Sequence, residues 1–143
     1  MKRLIIAAIA TIVAVPAFAA ANDAIDKAAK EKGAVKTSSG MVYLSIKDGK
    51  GKSPSAANTV EVNYRGTLTN GKEFDSSYKR KQSISFPLTG VIPCWTEGVQ
   101  LMKVGSKAKL VCPPELAYGS RGAGSDVPPN ATLIFEVELL NIK

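Results

Sequence analysis

The sequence predicts an α+β domain, an antiparallel sheet with one short helix packed on it. Three observations carry this. Apolar and polar residues alternate with a period of two over residues 42–47, 60–65, 108–112 and 133–139. One stretch, residues 93–102, switches to helical spacing. The segments between them are rich in Gly, Pro, Asn and Ser, the residues that punctuate regular structure. A chain of 143 residues suits one domain. Its 45% apolar and 22% charged content belongs to a globular protein.

Met1, Lys2 and Arg3 precede a mostly apolar run, Leu4 to Val15, and then Pro16-Ala17-Phe18-Ala19. A basic start, a short apolar run and a small-x-small site make a secretory signal peptide over residues 1–19. Cleavage is expected after Ala19, with Ala21 as the other site. The run is shorter than the roughly 20 residues of a bilayer span. The expected location is periplasmic or secreted, in a compartment that permits disulfides. Residues 20–38 read as a short helix or flexible tail. Asn22 can cap such a helix and Gly33 can end it, but its apolar face is thin.

The domain proper is expected over residues 39–143. Val42, Leu44 and Ile46 alternate with Tyr43, Ser45 and Lys47. A polar loop runs from Asp48 to Asn58. Val60, Val62 and Tyr64 then alternate with Glu61, Asn63 and Arg65. Each pattern is a strand with one buried face. Asn70-Gly71 signals a tight turn, with Phe74 and Asp75 on the returning strand. Trp95, Val99 and Met102 share one face of a helix that Pro93 can open and Gly105 can close. Ala108, Leu110 and Cys112 form a further strand. Residues 118–130 form a long loop built of turns. Leu133, Phe135, Val137 and Leu139 face inward on the last strand, with Glu136 and Glu138 outward.

Composition excludes several chemistries. The chain has no histidine, so there is no Ser-His-Asp relay and no HExxH zinc site. Two cysteines are too few for a four-thiolate zinc or iron–sulfur site. The formal net charge of +7 is scattered. Lys79-Arg80-Lys81 is its one run and reads as solvated surface, and no nucleic-acid-binding motif is present.

Five strings carry a family resemblance. They are Val-Glu-Val-Asn-Tyr-Arg-Gly-Thr-Leu (60–68), Asn-Gly-Lys-Glu-Phe-Asp-Ser-Ser-Tyr (70–78), Val-Ile-Pro-Cys-Trp-Thr-Glu-Gly-Val-Gln-Leu-Met (91–102), Ala-Lys-Leu-Val-Cys-Pro-Pro-Glu-Leu-Ala-Tyr-Gly (108–119) and Val-Pro-Pro-Asn-Ala-Thr-Leu-Ile-Phe-Glu-Val-Glu-Leu-Leu (127–140). In order and spacing they resemble the FKBP-type peptidyl-prolyl cis/trans isomerases, in the exported, macrophage infectivity potentiator-like branch of bacteria. The long N-terminal helical dimerisation region of that branch is replaced here by the short segment from Asn22 to Val35.

The resemblance implies a strongly twisted antiparallel sheet wrapped around one short helix, with a substrate pocket between them. Trp95 would form the pocket floor. Tyr64, Phe74, Phe86, Val91, Ile92 and Phe135 would line its walls. Asp75 and Tyr118 would supply polar groups at the rim, and the Ile92 backbone N–H would meet a substrate carbonyl. Asp75, Tyr118 and Tyr64 are the expected catalytic residues. Asp75 would orient Tyr64 or act on the rotating carbonyl; the other reading is that it ties down its own turn. Proline-containing polypeptides and macrolide inhibitors such as rapamycin are the implied partners. No cofactor, metal, nucleic acid or stable membrane insertion after signal cleavage is implied, and the short N-terminal segment favours a monomer. A proline-binding chaperone module with little turnover is the competing function.

The chain also departs from the family pattern. Cys94 stands where Gly is usual, and Cys112 stands where a β-branched aliphatic residue is usual. In this fold the two would form a disulfide; the alternative is a pair of buried free thiols. The loop over residues 119–127 varies in the family, and Arg121 and Asp126 would bear on preference for the residue before proline.

Overall fold

The computed structural model describes residues 17–143. Residues 1–16 of the expected signal peptide lie outside the described residues. In chain order the elements are α1 (Ala17–Ala29), β1 (Val35–Lys36), β2 (Val42–Lys47), β3 (Thr59–Leu68), β4 (Glu73–Ser76), β5 (Ile84–Pro87), α2 (Pro93–Gln100), β6 (Lys107–Cys112) and β7 (Leu133–Ile142). All strand pairs are antiparallel, in the order β1-β2-β6-β7-β3-β4, with β5 also on β3. This is the α+β architecture expected from the sequence.

The core lies between α2 and one face of the sheet. Val60, Val62 and Tyr64 of β3, Ala108, Leu110 and Cys112 of β6, and Leu133, Phe135, Val137 and Leu139 of β7 all bury on that face. α2 contributes Cys94, Trp95 and Val99, followed by Met102. Gly98 lets the helix lie close to the sheet. A Cβ there would come within 2.9 Å of Leu110 and 3.0 Å of Met41. Cys94 at the start of α2 and Cys112 at the end of β6 form a disulfide with a Cα–Cα distance of 5.7 Å.

Of the two readings of the N-terminal segment, the helix is the one present, with a different start. α1 starts at Ala17, so Asn22 lies inside it rather than at its start. Its second half is docked on the sheet. Ile25 and Ala28 pack on Val42 and Val111, on the sheet face opposite α2. Glu31 and Lys109 add an ion pair at 3.0 Å. This second layer also inverts the reading of β2. Met41 and Tyr43 face the main core while Val42 faces α1, and Ile46 is exposed. The alternation is real, but its apolar set serves a different layer. Gly105 does not close α2; it stands at φ +92° in the turn entering β6.

The two short strands β1 and β5 carry no strong sequence signal, and pairing makes them strands. β5 and β4 share one edge of β3, taking Thr59–Val62 and Arg65–Thr67 respectively. In the gap between them sits Ser77, fully buried. Its hydroxyl accepts from the Tyr64 amide at 2.8 Å, and its own amide donates to the Tyr64 carbonyl at 2.9 Å. Ser77 therefore supplies the bonds that a neighbouring strand would have made.

Candidate active site

A cavity of about 500 Å³ opens between α2 and the sheet, within the size range of small-ligand sites. Its floor is Trp95, which the α2 start holds against the core with 4% of its surface exposed. Three rings stand nearly upright on the indole. Tyr64, Phe86 and Phe135 lie 5.1, 5.6 and 5.3 Å from it, at 84–86° to its plane. Phe74 stands edge-on to Phe135 at 5.6 Å. Edge-to-face contacts of this kind add about 0.5–1.5 kcal/mol each beyond burial. The result is a box with apolar walls.

β3 supplies Tyr64, β4 supplies Phe74 and Asp75, β5 supplies Phe86, and β7 supplies Phe135. Val91 and Ile92 come from the turn that leads into α2. Tyr118 follows β6 after the Pro113-Pro114 corner. All nine residues named from the sequence line this one cavity, together with Gly90, Pro93 and Ala117.

The box depends on Gly66. A Cβ at this position would lie 2.5 Å from the Phe74 ring and 2.9 Å from Phe135. Gly66 faces the same way as Tyr64 along β3, so its missing side chain is the space the two rings occupy. Gly66→Ala is expected to push Phe74 outward and cost about 1–3 kcal/mol of stability by overpacking. Thermal unfolding combined with ring-proton NMR shifts of Phe74 checks this. An unchanged melting temperature and unchanged shifts would refute the packing role.

The polar rim is organised by Asp75. One of its carboxylate oxygens accepts from the Tyr64 hydroxyl. The other accepts from Arg80 Nη1 at 2.6 Å and from the Ser76 amide at 2.9 Å. Arg80 Nη2 also donates to the Tyr64 hydroxyl at 3.1 Å. Burial works to raise the Asp75 pKa, but the bonds from Tyr64 and Arg80 outweigh it and hold the carboxyl below its ordinary range. Burial first, and then the bond to Asp75, push the Tyr64 pKa up to about 12. The Tyr64 hydroxyl is thus fully committed, donating once and accepting once.

Three other donors at the cavity have no partner among the described residues, the first being the Trp95 indole N–H in the floor. Tyr118 is 42% exposed, and its hydroxyl bonds to no described residue. The Ile92 amide, just ahead of the first turn of α2, likewise has no acceptor among the described residues.

Residues 50–140 match the family model described as FKBP-type peptidyl-prolyl cis-trans isomerase. The chain belongs to the FKBP family. FkpA of Escherichia coli strain K12 is 56% identical over 118 residues, which cover 82% of this chain and 43% of FkpA. The crystal structure of E. coli FkpA superposes with a TM-score of 0.84 at 54% identity, covering 87% of this chain and 58% of that one. A peptidyl-prolyl cis-trans isomerase from Pseudomonas syringae superposes equally well, with a TM-score of 0.84 at 35% identity over 89% of this chain and 93% of its own. FK506-binding protein 1 of Dictyostelium discoideum is 52% identical over 106 residues, 99% of its length and 73% of this chain. The chain therefore spans less than half the length of FkpA but nearly the whole of the slime-mould protein.

This FKBP domain contains site residues that the sequence does not single out. Arg80 belongs to the Asp75–Tyr64 network, although its run of three basic residues reads as solvated surface. Its role depends on the Ser77–Gln82 turn folding back over β3, which no local pattern encodes. Gly66 is visible only as part of a family string. Gly90, Pro93 and Ala117 line the cavity through backbone and small side chains that carry no chemical signal.

Proposed function

We propose that the domain is a peptidyl-prolyl cis/trans isomerase acting on exported proteins, with the aromatic box around Trp95 holding the prolyl ring. That box is the observation that carries the reading. It is apolar, it is walled by upright rings, and it presents two free donors at its edge.

Rotation about an X-Pro bond is slow because resonance gives the amide C–N bond double-bond character, a barrier of about 18–20 kcal/mol. No bond has to break. The catalyst must bind the twisted amide better than the planar one. The planar form is the more polar, since resonance places charge on oxygen. An apolar box in place of water therefore disfavours the ground state more than the twisted state. The Ile92 N–H would hold one substrate carbonyl and the Tyr118 hydroxyl another, fixing the segment while the amide turns. Each tenfold of acceleration requires about 1.4 kcal/mol of such preference.

Asp75 acts in this scheme by positioning. Its charge is answered by Arg80 and its remaining oxygen by Tyr64, so its work is to lock the Tyr64 ring upright. Tying down its own turn, through the Ser76 amide, is part of the same bond set. The succession of Lys2-Arg3, an apolar run and Ala-Phe-Ala supports export to the periplasm or beyond. Macrolides such as rapamycin would compete for the box. The name of the slime-mould relative, an FK506-binding protein, supports that reading. A protease-coupled assay on an X-Pro peptide tests the function, with rapamycin as competitor. Binding without acceleration would leave a prolyl-binding module, and neither binding nor turnover would remove the reading.

The pH profile should be flat through neutrality. No histidine is present, and histidine is the side chain whose ordinary pKa falls near 6.5. Asp75, with its lowered pKa, stays ionised throughout and loses its contribution to stability only as pH falls through its folded value. Tyr64 has the opposite sign. Its raised pKa adds stability that is complete below the ordinary value of 10.0 and is lost as pH rises through about 12. Exchange rates measured by NMR, without a coupling protease, are expected to give a constant kcat/KM from about pH 6 to 8. A bell-shaped profile centred there would show that a proton moves in the rate-limiting step.

A further inference from the structure

The prolyl cavity does not end at Val91 and Pro93. The same two residues wall a second, shallower groove of about 520 Å³ on the outer side of α2, lined also by Thr89, Thr96, Glu97 and Gln100. We propose that this groove takes one flank of the substrate polypeptide as it leaves the prolyl box over the Val91–Pro93 ridge, and that Glu97 selects a lysine or arginine there. The proposal rests on the isomerase reading above and extends it to sequence preference.

Continuity is the first support. A chain seated in the box must leave it on both sides, and the shared ridge is an exit that leads directly into a second concavity. The free Ile92 amide lies on this ridge, between its two shared residues, where it can hold the backbone of the departing chain.

Charge is the second support. The polar groups of the groove are mostly satisfied within the protein. Thr96 Oγ1 donates to the Leu88 carbonyl at 2.7 Å, and Gln100 Nε2 donates to the Thr96 carbonyl at 2.7 Å. Glu97 is the one charged residue lining the groove. One of its carboxylate oxygens accepts from the Ser39 hydroxyl. The other has no partner among the described residues, and no described cation lies within ion-pair distance. An acid held in place by Ser39 beside an apolar ridge is suited to a long side chain that lays its methylenes on Val91 and Pro93 and its charge on Glu97.

The preference can be separated from general electrostatics. The chain carries a formal net charge of +7, so long-range attraction favours acidic peptides. A lysine preference at one position runs against that field.

The experiment uses X-Pro peptides of otherwise identical sequence, bearing Lys, Glu or Ala at each of the three positions on either side of the X-Pro pair. Turnover of the all-Ala peptide reports on the prolyl box alone; its absence would remove the isomerase reading itself. At one flanking position, Lys is expected to exceed Glu by about two- to five-fold in kcat/KM, the range for an exposed ion pair. The ratio should fall toward one at high salt and in Glu97→Gln. Because it is taken within one protein, the ratio is insensitive to any loss of folded material. A Lys-to-Glu ratio of one or below at all six positions would overturn the proposal, as would a preference that survives in Glu97→Gln.

Discussion

Loss of the Cys94–Cys112 bond is expected to destabilise the domain by about 3 kcal/mol, the chain-entropy value for a loop of this length. The two cysteines are 18 residues apart. For a domain of this size the cost corresponds to a fall in melting temperature on the order of 10 °C. Both sulfurs belong to fully buried residues, so reduction should require denaturant or prolonged exposure to a dithiol. The double variant Cys94→Ala/Cys112→Ala avoids that barrier. Its thermal unfolding, compared with that of the oxidised protein, measures the effect. A shift below about 2 °C would mean that the bond contributes little beyond the packing around it. The bond also joins two sides of the aromatic box. Cys94 lies between Pro93 and Trp95, and Cys112 leads through the Pro113-Pro114 corner to Ala117 and Tyr118. Macrolide affinity of the double variant would show whether the pocket loosens with the staple gone.

Replacement of the pocket floor has the other large expected effect. Trp95→Ala removes a buried indole that contacts three rings, and truncating a buried aromatic side chain in this way costs about 3–5 kcal/mol of stability. The walls lose what holds them upright, so kcat/KM should drop by at least tenfold, equivalent to about 1.4 kcal/mol in the transition state. Trp95→Leu guards against simple unfolding, since it keeps an apolar floor at smaller cost. In that variant circular dichroism should remain native while turnover falls. A folded Trp95→Leu protein with full activity would show that the indole is packing and nothing more.

Much of this molecule is legible in local pattern. The strands β3, β6 and β7 follow from period-two patterns whose inward residues form the core. α2 follows from Trp95, Val99 and Met102 at helical spacing behind Pro93. These elements declare themselves because each sends a long periodic set into the main core, even where Val111 of β6 and Ile134 of β7 also meet the α1 layer. The elements that pattern misses or misreads lack such a set. β1 and β5 are too short to show a period. β2 is covered on both faces at its start, by α1 over Val42 and by the main core against Tyr43, so the alternation assigns Val42 to the wrong layer. α1 itself has a thin apolar stripe, Ile25 and Ala28 with Ala29 beside them, which becomes meaningful only once Val42 and Val111 are present to meet it.

For the site, the residue types are legible and their assembly is not. The aromatic residues can be named from the family strings, and the two cysteines stand out as departures. Distance in space has to come from the fold. Asp75, Tyr64 and Arg80 meet because the turn after β4 folds back into the gap that Ser77 fills on β3. Gly66 matters because two rings approach its α-carbon. The sequence by itself determined the fold class, the core faces of the main strands and the chemistry available to the pocket, since these depend on local periodicity and residue type. Only the tertiary structure decided the Arg80 network, the docked α1 layer and the groove beside Glu97, since each arises where segments distant in the chain are packed together and no local pattern reports that contact.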